Sequence, residues 1–397
     1  MTSGRKRGSS LEVFRVFLML GLTSFGGPVA HLGYFREAFV VRLQWMSDRA
    51  YGDIVALGQL LPGPASSQVG MAIGLLRAGY GGLIAAWLAF TLPSALILIA
   101  FAFGAGELEA ALGAGWIHGL KAAAVAVVAH ALIGMARSLA PDRKRATIAV
   151  AGMIGAMLIP FTAGQLMVIV AGGLAGLVWL RDEPVPDGEG PMEVPVGRPT
   201  AILALLVFFF LLVALPVVSR LVGDGPWPLI DAFYRAGSMV FGGGHVVLPL
   251  LEAEVVDTGM VDRETFLAGY GAAQAVPGPL FTFAAYLGAV METPPSALAA
   301  LMALVAIFVP SALLIVGGLH FQGLLRRAPP ARRAFAGVNA AVVGLLAAVF
   351  HDPILSAGLI SVHATAIAAA SFVALAAWKA PAWAVVLLAG VAGFVVL

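Results

Sequence analysis

The chain predicts an all-α polytopic membrane protein built from two inverted-topology repeats, and three observations carry that expectation. Of 397 residues, 60% are hydrophobic and only 11% charged, with a mean hydropathy of +0.97. A set of glycine and proline motifs occurs twice, in the same order, in the two halves. The basic loops, however, fall at different places in each half.

An ordinary soluble domain carries about 25% charged residues. A water-soluble globule of this length could not hide so much apolar surface, which excludes cytosolic enzymes, nucleic-acid binders and disordered scaffolds. The 48 Gly and 24 Pro are compatible with membrane helices, which tolerate both. The net charge of +2 says little about partners. With no cysteine, disulfides, thiolate catalysis and Cys-ligated metals are excluded, and no cofactor is expected. Arg5, Lys6 and Arg7 precede the first apolar run, and no small-residue cleavage site closes it. The start therefore reads as a cytoplasmic amino terminus rather than a cleavable signal.

The first repeat element is Gly21-Leu22-Thr23-Ser24-Phe25-Gly26-Gly27-Pro28, matched 216 residues on by Gly237-Ser238-Met239-Val240-Phe241-Gly242-Gly243-Gly244. The second is Gln59 to Pro64, ending in Pro-Gly-Pro, matched 215 residues on by Gln274 to Pro279. Leu92-Pro93-Ser94 matches Val309-Pro310-Ser311, and Gly119 to Ala123 matches Gly337 to Ala341. The first repeat is assigned to residues 1–183, a linker with one connecting helix to 184–222, and the second, inverted repeat to 223–397.

Apolar segments in the first half fall roughly at 10–31, 50–76, 81–104, 116–137, 146–160 and 164–180. Those in the second fall roughly at 228–250, 265–290, 296–321, 334–350, 354–375 and 381–397. With the connecting segment the total is about 13, so each element and its copy are separated by an odd number of crossings. Charge points the same way. Arg137, Arg143, Lys144 and Arg145 form a basic loop whose copy around His351-Asp352-Pro353 has no Lys or Arg. Arg326, Arg327, Arg332 and Arg333 stand where the first half has Glu107 and Glu109. The positive-inside rule places both basic loops in the cytoplasm only if the halves are inverted, an architecture of carriers with a midplane site. The carboxyl terminus is then external.

Phe25-Gly26-Gly27-Pro28, Gln59 to Pro64, Phe241 to His245 and Gln274 to Pro279, with Trp45-Met46-Ser47-Asp48-Arg49, resemble the two-domain chromate ion transporter family. The resemblance spans nearly the whole chain. It implies a carrier in the cytoplasmic membrane that exports chromate, with sulfate as the look-alike oxyanion. Its partners would be the oxyanion and the lipid bilayer, with a homodimer possible.

The residues supply their own chemistry. A helix that starts after Pro64 or Pro279 exposes free N–H groups and its positive dipole end, a ready anion site. Ser66, Ser67 and Thr282 add hydroxyl donors. Gly26, Gly27, Gly63, Gly242, Gly243 and Gly278 allow the backbone to turn or approach closely, and Gln59 and Gln274 offer amide donors. The two Pro-Gly-Pro elements are expected to face each other across the pseudo-two-fold axis. His31 and His245 lie just past the glycine breaks and could bind an oxyanion or carry a proton; they do not align in the repeat. Lys121 is either an intramembrane cation or a snorkelling interfacial lysine. Arg36 and Arg77 read as interfacial anchors, His118 and His130 as structural or headgroup-facing, and Glu252, Glu254, Asp257, Asp262 and Glu264 as a solvated loop. An oxyanion channel and a sulfate-type importer are the competing readings. Enzyme motifs and an ATP-binding Gly-rich loop with Lys-Ser/Thr are absent.

Overall fold

In the computed structural model, residues 8–25, 27–159, 162–180, 194–223, 225–241, 247–291 and 295–397 are described. All regular structure among them is helical. The first repeat contains α1 (Ser10–Thr23), α2 (Gly27–Arg36) with a wide π-helical turn (Glu37–Arg42), α3 (Asp48–Leu60), α4 (Ala65–Leu112), α5 (Gly115–Leu139), α6 (Arg143–Leu158) and α7 (Thr162–Trp179). The connecting helix is α8 (Arg198–Val222). The second repeat contains α9 (Trp227–Met239), α10 (Val247–Leu251) with a π-helical turn (Glu252–Val256), α11 (Arg263–Ala275), α12 (Phe283–Val290), α13 (Ala297–Arg327), α14 (Pro329–Val349), a single turn α15 (Ser356–Gly358), α16 (Val362–Ala376) and α17 (Ala382–Val396).

Local signals set the boundaries, and they repeat. Ser47 caps α3 by accepting from the N–H of Ala50 (3.2 Å), and its copy Asp262 caps α11 through Thr265 (2.9 Å). Such caps satisfy donors that a helix start leaves orphaned. The long α4 is two helices. Ala78 and Gly79 leave helical geometry (Gly79 φ 66°), and the chain reverses so that Gly74 meets Gly82 and Ala86. The copy of this hairpin is α12 followed by α13, where Gly288 meets Ala299 and Ala303.

Contacts trace the path through the bilayer. Arg77, at the hairpin turn, pairs with Glu12 (2.9 Å) and lies 4.9 Å over the Trp45 ring, while Gly8 donates to the Arg77 carbonyl. The start of α1, the loop after the first π-turn and the α4 turn therefore share one face of the bundle. Between these points α1 and α2 go in and come back, as do α3 and the first arm of α4. Each of these pieces has 10–14 residues, short of the roughly 20 that cross a bilayer. Length and the return to one face are those of re-entrant pairs.

Four of the 13 apolar segments are thus each divided into two short helices. Among the described residues, five helices are long and apolar enough to cross a membrane, one of them within α4. At the end of the chain, Leu397 sits against Gly115 at the start of α5. The second repeat's corresponding loop, with Asp257 and Asp262, lies beside the α6–α7 turn: Gln165 donates to the Pro249 carbonyl (3.1 Å), and Asp257 shares a cavity with Ile159 and Gln165.

The halves are interlocked. α5 packs on α16 and α17, and α14 packs on α6 and α7. The seams are equivalent: Gly119 lies against the Ala389 carbonyl, and its copy Gly337 lies against the carbonyl of Gly172, the copy of Ala389. Small residues let membrane helices approach, since lipid supplies no hydrophobic drive between them.

Two outcomes follow. Cysteine placed at Leu43 and at Thr258, in a chain without background thiols, should react with an impermeant reagent from opposite sides of a sealed vesicle; same-side labelling would remove the inverted path. Gly119→Leu or Gly337→Leu should destabilise the protein by about 1–3 kcal/mol or more through overpacking, read as a lower melting temperature in detergent.

Candidate site at the crossed helix breaks

Helix α1 stops at Thr23 and α9 at Met239, leaving backbone carbonyls at mid-depth. Such groups need a partner in lipid. A Pro-Gly-Pro triplet has one N–H, that of its glycine. Gly63 donates it to the Val240 carbonyl (2.6 Å) and Gly278 donates it to the Ser24 carbonyl (3.0 Å). Ser24 and Val240 are copies, as are Gly63 and Gly278. Each triplet thus closes the broken helix of the other repeat. The same crossing holds for the walls: a β-carbon at Gly63 would overlap the Ser311 hydroxyl, and one at Gly278 would lie 2.9 Å from the Ser94 Oγ. Both glycines have positive φ, 125° and 100°, where side-chain-bearing residues are strained. The two Pro-Gly-Pro elements are therefore each docked on the partner repeat's first break rather than simply opposed.

Around the first break a polar network forms. His31 places Nε2 3.1 Å from the Ser24 carbonyl and Nδ1 3.3 Å from the Ser66 Oγ. The carbonyl can only accept, so Nε2 carries a hydrogen; in the neutral ring Nδ1 then accepts from Ser66. Ser66, His31, the Ser24 carbonyl and the Gly278 N–H form one chain that links both repeats. Ser24, His31, Ser66, Ser67, Gln68, Thr91, Ser94 and Ser311 are all at most 3% exposed. Of these, the hydroxyls of Ser24, Ser67, Thr91 and Ser311 and the Oε1 of Gln68 have no hydrogen-bond partner among the described residues. The first helical bond of α4 is Gln68 N–H to the Pro64 carbonyl (2.9 Å), so the N–H groups of residues 65–67 have no acceptor in their own helix.

A cavity of about 110 Å³ adjoins the same first break, lined by Gly27, Pro28, His130, Gln274, Val276 and Gly278. It has room for several waters and joins the start of α2 to the Pro-Gly-Pro of the other repeat. The Nε2 of Gln274 is buried and unpartnered there among the described residues. His130, read from sequence as structural, lines this cavity. Nothing in its local sequence marks it; only its position one helix away from Gln274 does.

Other sequence candidates lie elsewhere. Gln59 is exposed. The Thr282 hydroxyl donates to the Pro279 carbonyl (2.8 Å). Lys121, 4% exposed, pairs with Glu264 (3.3 Å) at the start of α11; it precedes His130 by nine residues, ~13 Å along the helix. Gly26, Gly242, Gly243 and His245 lie outside the described residues. Arg36 pairs with Asp48 (2.7 Å) as an interfacial anchor. The acidic run is not uniformly solvated: Asp257, Asp262 and Glu264 are exposed, but Glu252 and Glu254 are buried, held by Arg263 (3.7 Å) and Arg235 (2.7 Å). Burial pushes Glu252 up to about 8 and Glu254 up to about 7.

The family described as chromate transporter matches the chain twice, over residues 11–177 and 227–394. The chain belongs to the chromate transporter family. Both matched stretches include the re-entrant pairs and the interlocked helices. The chromate transport protein of Pseudomonas aeruginosa is 28% identical, covering 97% of this chain and 92% of that protein. The chromate transport protein of Cupriavidus metallidurans is 26% identical over 84% of this chain and 80% of its own length. An uncharacterized transporter, MJ0718, of Methanocaldococcus jannaschii is 26% identical over 87% and 84%. No solved structure matches the chain.

Gly63→Ala and Gly278→Ala should each cost about 1–3 kcal/mol of stability through backbone strain alone. Gly33→Ala, with open space around it, is the control. Equal melting temperatures for all three would mean that the positive φ at the breaks carries no cost.

Proposed function

We propose that this protein is a carrier that exports chromate across the cytoplasmic membrane and also recognises sulfate. The observation that carries the reading is the set of buried hydroxyls at the breaks without partners among the described residues: Ser24, Ser67, Thr91 and Ser311. An unmade buried hydrogen bond costs about 1–3 kcal/mol, and a tetrahedral oxyanion has only acceptors to offer. The start of α4 adds free N–H groups and a positive dipole end, so a dianion can be held without a fixed cation and then released. Gly27, Gly63 and Gly278 let backbone approach the ion, and Gln274 reaches it from the cavity. Lys121, Gln59 and Thr282 take no part.

Sulfate and chromate share charge and shape, so these donors separate them weakly. Energy comes from a gradient, exchange or the membrane potential, which, negative inside, favours outward movement of an anion. A proton on His31 would make Nδ1 a donor, free the Ser66 hydrogen for the anion and offset its charge. The face carrying Arg36, Arg42, Arg49, Arg77, Arg143 and Arg198 is cytoplasmic by the positive-inside rule, which places the amino terminus inside and the carboxyl terminus outside.

The test is labelled chromate and sulfate uptake into everted vesicles, with and without an imposed proton gradient. Ser67→Ala and Ser311→Ala should leave the melting temperature unchanged, since neither hydroxyl has a partner among the described residues to lose. Each should weaken apparent affinity roughly tenfold to a hundredfold, matching the loss of about 1.5–3 kcal/mol per hydrogen bond to a charged group. Unchanged affinity in both variants would remove the site. Flux that never saturates and shows no counterflow would replace the carrier by a channel.

A further inference from the structure

Helices α6 and α7 both pack on α14, yet they leave an apolar groove of about 400 Å³ between them. Thr147, Ala151 and Ile159 of α6 form one wall, Ala171 and Trp179 of α7 the other, and Ala341 of α14 lies at the floor. Ala151 and Ala171 are exposed on the outer surface of the bundle, so the groove opens sideways. From Thr147 to the α6–α7 turn at Ile159 it runs ~18 Å along α6, deep enough to take an acyl chain through the ~15 Å of one leaflet's hydrocarbon.

Its mouth is cationic. Arg143, Lys144 and Arg145 form the first turn of α6, and Asp142 is the one acid between Arg137 and Arg145. Lys144 reaches across the mouth: its Nζ donates to the Trp179 carbonyl (2.8 Å) and lies 5.9 Å from the Trp179 ring. Arg333 of α14 sets its carbonyl against Gly176, less than one turn before Trp179, bringing Arg332 and Arg333 to the same end. The equivalent start of α16 reads Val362-His363-Ala364, without Lys or Arg.

From this charge complementarity we infer that the groove binds an anionic phospholipid, one acyl chain between α6 and α7 and the phosphate among the cations at the start of α6. The occupant belongs to the leaflet on the basic face. The inference is independent of what the carrier transports. Because α6 and α7 clasp α14 of the other repeat, the lipid would brace the interlock between halves. Each basic residue at a membrane surface favours anionic lipid, so discrimination should reside in the headgroup and retention in the groove.

The test is native mass spectrometry of the full-length protein in detergent, titrated with phosphatidylglycerol or phosphatidylcholine of identical chains, with melting temperature as a second readout. The wild type should retain one phosphatidylglycerol in preference to phosphatidylcholine and melt higher with it. Arg143→Gln/Arg145→Gln should lower that preference about tenfold while leaving phosphatidylcholine binding unchanged. Ala151→Phe/Ala171→Phe, which fills the groove from its open side, should lose retention of both lipids. Equal retention of the two lipids by the wild type overturns the proposal without any variant, as does undiminished phosphatidylglycerol binding in the filled groove.

Discussion

Two backbone hydrogen bonds, Gly63 to Val240 and Gly278 to Ser24, hold the centre of this molecule. Broken helices at membrane depth expose carbonyls that lipid cannot satisfy. Because the bonds are exchanged between repeats, neither half can close its own break. The rest of the architecture answers to that. The re-entrant pairs must reach mid-depth from opposite faces, the long helices carrying Ser94 and Ser311 must cross beside them, and the C-terminal helix pairs must clasp the far repeat. A proline on either side of each donor glycine ensures that no other N–H of the triplet competes for the carbonyl.

The two repeats share a backbone plan but not a chemistry. Ser24, His31 and Ser66 form the polar chain at one break, while the copies of these positions are Val240, Val247 and Phe281, all buried. The chain of His31 and Ser66 therefore has no counterpart at the same positions of the second repeat. A second asymmetry lies at the faces. The exposed pair Arg36–Asp48 is replaced in the second repeat by Glu252–Arg263, the same staple between π-turn and following helix with its charges reversed.

Much of this was legible in the sequence. The doubled motifs gave the repeats, and the unequal basic loops pointed to their inversion. Hydropathy cannot separate a span from a hairpin of two short apolar helices, because a window of 20 residues sums both alike; the segment at 10–31, which holds α1 and the start of α2, illustrates this. The crossed pairing was not legible either, since Gly63 and Val240 are joined by no local pattern. Matching Gln59 with Gln274 suggested equal roles, yet one is exposed and the other faces a cavity. Lys121 offered two readings of equal standing from its apolar neighbours alone. Its ion pair with Glu264, on another helix, is tertiary information, as is the burial of Glu252 and Glu254 by Arg263 and Arg235.

The clasp of α6 and α7 on α14 has a consequence for synthesis. When Trp179 has entered the membrane, Gly337 has yet to be translated, and at 5–20 residues per second that leaves a wait of roughly 10–30 s. Throughout it the glycine face formed by Gly172 and Gly176 has no helix to receive it. The first repeat thus inserts as an open half whose last two helices stand in lipid, and it acquires its final neighbours only when the second repeat arrives from the ribosome. A chain truncated after α8 would remain in that waiting state, with its inner seam facing the bilayer.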